Sequence, residues 1–239
     1  MQDIKNVLIG IQARSANTRL PKKAFENIGG RYLLDRVIDT CLNVAKYAVR
    51  QTRHRDYAIT VALLIPHDDP IKKIFTRIPC FMGDPDDVLS RYRDAKREFE
   101  ADYICRITGD CPLIPAPVIT KHITIAVAGQ YDYLSNVHEE CRLAMDGSDC
   151  EVVSSRMMDW LDEWSTKPEE REHVTLLARK NPPDWAKTGF IAGYFDNSHI
   201  KLSVDTKEDL ENVRNEYDRV GQKLKIAERI FGRERVHRF

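Results

Sequence analysis

IGIQARSANTRLPKK, residues Ile9 to Lys23, changes character partway along. From Val7 to Ile11 the chain is apolar and reads as a buried strand. It then turns into a polar loop with four cations, Arg14, Arg19, Lys22 and Lys23, stiffened by Pro21. A helical pattern follows, with Leu34, Val37, Ile38, Cys41, Leu42 and Ala45 on one face. Strand, cationic loop and helix in that order suit the first unit of an open α/β sheet, and such sheets bind ligands outside the carboxyl ends of their strands. Arg offers forked donors to phosphate and Lys a movable point charge, so the loop fits a polyphosphate. A solvated basic loop is the other reading of the cluster taken alone.

The rest of the chain alternates in the same way, which predicts an α/β layer fold with a largely parallel sheet. Ala58–Ile65 (AITVALLI) is a continuous apolar run suited to a central strand buried on both faces. Asp68-Asp69-Pro70 opens a short helix, Ile78 to Phe81 is a short strand, and Asp84-Pro85 is the expected cap of a helix over Val88 to Phe99. Tyr103–Ile107 is a strand and Pro115 to Ala128 a helix. Tyr131–Ser135 and Cys150–Ser154 are strands flanking the Asp146-Gly147 turn. Ser155–Trp164 and Glu169–Arg179 are expected as helices, and Thr188–Tyr194 and His199–Val204 as strands. Thr206 then caps a long final helix. No linker or repeat divides the 239 residues, so residues 1–239 read as a single domain, with an insertion or dimer-forming segment within 131–200.

Composition narrows the function. Lys plus Arg and Asp plus Glu number 37 each, a zero net charge that argues against a general polyanion binder. The basic run Arg50-Gln51-Thr52-Arg53-His54-Arg55 has no interleaved aromatics for base stacking, so no nucleic-acid partner is expected. No apolar run approaches the roughly 20 residues that span a bilayer, and the N-terminus lacks a secretory pattern; a cytoplasmic protein with no membrane partner is expected. The six cysteines include no Cys-x-x-Cys pair and read as reduced, mostly buried thiols.

Two further strand ends carry acids. Arg106-Ile107-Thr108-Gly109-Asp110-Cys111-Pro112 runs from strand into a Gly-Asp pair, and Asp110 there could hold a hard divalent cation against phosphate or simply serve the turn. Leu202-Ser203-Val204-Asp205 ends the same way. Thr206 accounts for the following helix start and leaves Asp205 free for another role. Asp149 and Glu151 alternate about Cys150 and would share one face of a strand, as a binding pair or a solvated one. His173 on a helix could meet an anion or be incidental.

Taken in order, IQARSANTRLPKKAF, IGGRYLLDRVID, FMGDPDDVLSRY, RITGDCPLI, YDYLSNV, DGSDCEV, REHVT and LSVDTKEDLENVR resemble the cytidylyltransferases of the CMP-Kdo and CMP-sialic acid synthetase superfamily. The branch most similar is that of spore-coat polysaccharide biosynthesis protein F, over nearly the whole length. The resemblance implies a Rossmann-like, GT-A type, three-layer nucleotide-diphospho-sugar transferase fold with a mostly parallel mixed sheet, often dimeric. It implies CMP transfer from CTP to an acceptor, with Mg²⁺ and release of pyrophosphate, in surface polysaccharide or related biosynthesis. The acceptor would be a sugar, a sugar acid or a phosphate or phosphonate compound. Carried over, Ala13, Arg14, Arg19 and Lys23 fall in the triphosphate loop, and Arg106 and Thr108 near the nucleoside. Asp110 and Asp205 match the metal aspartates, and with Arg14 and Lys23 make up the implied catalytic set. Asn136, Asp149, Glu151 and His173 match the acceptor side. The chain departs from the pattern at Ser15-Ala16-Asn17 and at Lys22, which stands where Gly is usual. A glycosyltransferase on the same fold, or a nucleotide-binding protein without catalysis, are the competing readings; the first would release a nucleoside diphosphate and the second nothing.

Overall fold

The computed structural model describes residues 4–51, 57–138, 143–192 and 196–231. A seven-stranded sheet runs through it in the order β5-β4-β1-β6-β8-β7-β9. The strands are β1 (Lys5–Gln12), β4 (Tyr57–Pro66), β5 (Cys80–Gly83), β6 (Tyr103–Thr108), β7 (Tyr133–Ser135), β8 (Glu151–Ser154) and β9 (Thr188–Phe190). Every pairing is parallel except those of β8, which runs against both β6 and β7. A small hairpin of β2 (Asn27–Ile28) and β3 (Arg31–Tyr32) stands apart; its two-residue turn puts both Gly29 and Gly30 at positive φ, as a type I′ turn needs.

Helices cover both faces. α1 (Leu33–Gln51) and α4 (Ala116–Gly129) pack on one side, where Leu34, Val37, Ile38, Ile119 and Ile123 meet Val7, Ile9 and Ile11. α3 (Val88–Glu98) and α5 (Ser155–Trp164) pack on the other, where Leu89, Tyr92, Met157 and Leu161 meet Leu8 and Leu64. Alternate residues of β1 thus serve opposite layers, as the period of two requires. A third cluster ties Leu20 of the cationic loop to Ile28, Val204, Leu210 and Val213. It brings the loop against the start of α8 (Lys207–Phe231) and so against Asp205. α2 (Ile71–Ile74), α6 (Pro168–Glu172) and α7 (Leu176–Lys180) complete the fold. No described helix is long and apolar enough to cross a membrane.

Several local expectations change. Helix α3 is capped by Asp87, whose carboxylate accepts the Ser90 N–H, while Asp84 folds the preceding turn by accepting from Asp86 and Asp87. The expected helix over Glu169–Arg179 is two short ones, broken where Val174 takes φ +53° with its side chain fully buried. A β-branched residue resists that region; core packing of Val174 and a Thr175 contact to Glu151 outweigh the helical preference. His199–Val204 is not a strand but a single bridge, Lys201 against Asp146, because its neighbour there is the Gly147 turn. The strand expected over Thr188–Tyr194 ends at Phe190, and Tyr194, residues 52–55 of the basic run and Cys141 lie outside the described residues. The five described cysteines are all free thiols, with Cys105 and Cys150 touching at 3.6 Å.

Candidate active site

The carboxyl ends of β1, β4 and β6 open onto a cleft with two chambers. The smaller, of 290 Å³, lies under the cationic loop; the larger, of 420 Å³, lies over β8. Thr108, Asp110, His173 and Asp205 line both chambers and form the divide.

The loop between them is held from beneath. Asp69 accepts the Ser15 N–H at 2.8 Å and its hydroxyl at 3.1 Å, while its other oxygen takes the Ile71 N–H. Lys22 N–H closes the loop onto the Ser15 carbonyl at 3.0 Å, with Lys22 at φ +61°. The left-handed backbone explains why Gly is usual at that position in the family the sequence resembles. Gly109 allows the next approach: a Cβ there would lie 2.9 Å from the Gln12 carbonyl, to which its own N–H donates at 2.8 Å. Asp110 is thereby set directly beside the loop.

At the divide, the Lys23 ammonium spends its three protons on Asp110 (2.9 Å), Asp205 (3.2 Å) and the Val204 carbonyl (2.8 Å). Arg19 approaches Asp205 at 3.3 Å. Burial pushes the Asp110 carboxyl up, but the Lys23 charge and hydrogen bonds from Lys23, Thr108 and Cys111 more than offset this and hold it below the usual range. The same surroundings of burial and Asp110 drive the Cys111 thiol well up. Asp205 is fixed by its backbone: Asp209 accepts the N–H of Asp205 and of Thr206, and Thr206 accepts that of Asp209. The expected capping box is present. Two carboxylates converging on one cation position fit Mg²⁺, which keeps water and uses one or two carboxylates plus substrate phosphate. Among the described residues no three-residue His, Cys, Asp or Glu cluster is suited to a metal, so phosphate and water would complete the shell.

The larger chamber has a different floor. Glu151 is 2% exposed and receives Arg106 (2.8 Å), Tyr133 (2.7 Å) and Thr175 (2.6 Å). Burial raises its pKa, yet Arg106 and the two hydroxyls hold it below the usual carboxylate range. Asp149 lines this chamber beside Glu151. His173 caps the end of α6, which Arg171 pins by bonds to Asp87 and Asp162.

The sequence-chosen residues are distributed as follows. Ala13, Arg14, Arg19 and Lys23 line the smaller chamber; Arg106, Asp149 and Glu151 line the larger one. Asn136 reaches neither, its amide being spent on the Ser148 carbonyl and the Cys150 N–H. Missed in the sequence were Gln12, Arg91, Tyr133 and Thr175. Arg91 alone left a trace there: a cation in line with Val88, Tyr92 and Ala95 on the apolar face of α3.

Sheet order, loop and carboxylate pair place this chain among the nucleotidyltransferases. Over residues 8–229 it matches the cytidylyltransferase family, and it belongs to that family. The spore coat polysaccharide biosynthesis protein SpsF of Bacillus subtilis is 26% identical over 231 residues, 94% of this chain and 91% of that protein. A cytidylyltransferase of Leptospira borgpetersenii has a similar structure, with a TM-score of 0.73 at 24% identity over 99% of this chain and 100% of that one. CMP:2-keto-3-deoxy-manno-octonic acid synthetase, solved with CTP, follows at a TM-score of 0.63 and 17% identity over 90% of this chain and 99% of that one.

Proposed function

We propose that this enzyme transfers CMP from CTP to a hydroxylated or anionic small molecule, a sugar, sugar acid, or phosphate or phosphonate compound, releasing pyrophosphate. The observation that carries the reading is the Lys23 ammonium held between Asp110 and Asp205, two carboxylates that line both chambers. A reaction at the α-phosphorus needs its charged centre where two substrates meet, and this pair faces both chambers.

In this reading the acceptor oxygen attacks the α-phosphorus in line and pyrophosphate departs toward the cationic loop. Little covalent help is needed, so positioning and charge neutralisation dominate. Arg14, Arg19 and Lys23 bind the β- and γ-phosphates, and Lys23 leaves the aspartates to do so. Ala13 and Thr108 lie along the nucleotide. Asp110 and Asp205 would hold Mg²⁺, which supplies charge neutralisation at the phosphates when bound. Asp149 and His173 face the acceptor, while Glu151 and Arg106 shape the floor beneath it and Asn136 fixes the strand entry through Ser148 and Cys150. CTP as donor is supported by the family and by the CTP complex of a structural neighbour. The name of SpsF supports surface polysaccharide synthesis as the setting. Within this proposal the enzyme works in the cytoplasm as a single-domain homodimer, with residues 131–200 contributing the contact.

Pyrophosphate release with each of the four nucleoside triphosphates and Mg²⁺, against a panel of sugar acids, sugars and polyol phosphates, tests this. Turnover with CTP and one acceptor class is expected. Release of a nucleoside diphosphate from a nucleotide sugar would overturn it in favour of glycosyl transfer.

A further inference from the structure

Among the described residues the guanidinium of Arg91 makes no carboxylate hydrogen bond; Asp84 and Asp87 act on it only at a distance. The residue leaves the first turns of α3 and is 1% exposed. Its hydrogen bond among the described residues is a long one, 3.4 Å from Nη1 to the Leu64 carbonyl, and Nε has none. The nearest acids in sequence are engaged elsewhere. Asp84 accepts two backbone N–H groups, and Asp87 binds Ser90 and Arg171. Burial lowers the pKa of the guanidinium by more than Tyr92, Asp84 and Asp87 raise it, and the charge of Arg14 adds to the lowering. Even so, the chain reserves space for this side chain: a Cβ on Gly83 would stand 2.5 Å from Arg91 Cγ. A buried cation without a close ion-pair partner is a costly feature for a fold to carry. Keeping one makes sense where a ligand supplies the missing acceptors.

Arg91 lines the smaller chamber, and so does Gln12, whose Oε1 is also buried without a partner. The two are neighbours in the sheet frame. Gln12 pairs with Leu64 across β1 and β4, and it is the Leu64 carbonyl that Arg91 approaches. A buried guanidinium and a carboxamide, each with a polar atom short of a partner, therefore line one compartment. The apolar residues of this largely polar chamber include two beside them: Val88 sits one turn before Arg91, and Ala13 donates to the same Leu64 carbonyl. Lys23 and its aspartates lie across β1, on the β6 side. The phosphates have Arg14, Arg19 and Lys23 of the loop; a flat heteroaromatic ring suits apolar walls with a few polar groups at its edge.

Building on the proposed reaction with CTP, we propose that Arg91 selects the base: its fork donates to O2 and N3 of cytosine while the Gln12 carboxamide oxygen accepts from the exocyclic amine. Arg can only donate, and with the Gln12 carboxamide turned as in this structure its oxygen can only accept, so in that orientation the pair has one polarity. Cytosine matches it. Uracil carries a hydrogen on N3 and an oxygen in place of the amine, which sets donor against donor and acceptor against acceptor. A site that hydrogen-bonds one substrate rejects the mismatched one strongly, because its own buried groups then stay unpaired.

The test uses Arg91→Met, which keeps most of the stem, Arg91→Lys, which keeps charge without the fork, and Gln12→Leu. Three quantities are read: kcat/KM for CTP and UTP, inhibition by inorganic tripolyphosphate, and the melting temperature without nucleotide. Each variant is expected to lose about tenfold or more of the CTP preference over UTP. Tripolyphosphate inhibition stays within about twofold and Arg91→Met melts no lower than wild type. An unchanged CTP preference in the variants overturns the assignment, and so does loss of tripolyphosphate inhibition, which would make Arg91 a phosphate ligand. A lower melting temperature with unaltered selectivity would make it a structural residue. Should the wild type turn over no nucleotide with any acceptor, the proposed reaction fails on its own. Calorimetric binding of CTP and UTP to wild type and Arg91→Met then decides the role of Arg91 separately.

Discussion

The two chambers of the cleft solve the handling of charge in opposite ways. Under the cationic loop, Arg14 and Arg19 stand about half or more exposed, 49% and 66% of their side chains, and their contacts to Glu172 and Asp205 are loose, at 3.9 and 3.3 Å. Over β8 the charges are closed off: the side chains of Glu151 and Arg106 are 3% and 14% exposed, and the Glu151 carboxylate accepts from three side chains at once. Exposed cations can change partner when a phosphate arrives, because water already screens what they lose. A buried carboxylate that already accepts three hydrogen bonds cannot. The first arrangement suits binding by charge; the second would give a neighbouring ligand a fixed floor.

Breaking the closed side gives the largest expected effect. Glu151→Gln strands the Arg106 guanidinium and should destabilise the fold by about 3–5 kcal/mol, read from denaturant unfolding. A loss under 1 kcal/mol would mean the floor is not held by its charge pair. Next comes the divide. Asp110→Asn should lower kcat about 10²–10³-fold with the melting temperature nearly kept. Wild-type pyrophosphate release by this variant removes Asp110 from the charged centre.

On the open side, Arg14→Gln should raise KM for CTP about tenfold without changing stability. That ratio should shrink as salt rises from low to physiological strength, a dependence Glu151→Gln should lack. Identical salt responses would erase the contrast between the chambers. Acid titration sharpens it further. Asp110, Glu151 and Asp209 all have folded pKa values below their ordinary ones, 3.8 for Asp and 4.5 for Glu, with Asp209 at about 2. Their stabilisation is therefore complete above the ordinary carboxylate range and is lost as pH falls through the folded values, that of Asp209 near pH 2. Glu151→Gln should flatten this acid limb, whereas Arg14→Gln should leave it in place. The smallest effect is Lys22→Gly, which relieves a left-handed backbone and should stabilise by about 1 kcal/mol, visible as a modest rise in melting temperature.

The same contrast decided what could be read in the chain. Arg14, Arg19 and Lys23 crowd into one loop, and Asp110 and Asp205 end apolar runs, so local pattern was enough to mark the open side and the divide. The layered fold was equally legible, because Val7–Ile11 and Ala58–Ile65 announce buried strands through composition alone. The closed side was not. Glu151 looked like one of two acids on a strand face; that it is buried depends on Arg106, Tyr133 and Thr175, which lie 45, 18 and 24 positions away. Thr175 reaches it only because the helix breaks at Val174, against local preference. Asp69, read as a helix-opening acid, holds the cationic loop from 54 positions further along. Where a residue's role is set by a distant partner, spacing carries no trace of it.

Lys23 and Asp110 lie 87 positions apart and Lys23 and Asp205 182 apart, yet one ammonium touches both carboxylates. Contacts of that sequence separation bear the full entropy of loop closure before they give anything back, and they slow folding. During synthesis the cationic loop and its first aspartate must wait while nearly a hundred more residues emerge before the second can dock. The proposed reactive centre is thus assembled late, after both helical layers have chain to pack with. Recovery of activity on refolding should accordingly lag the recovery of secondary structure, and a half-made chain carries the cations of the site without its power to react.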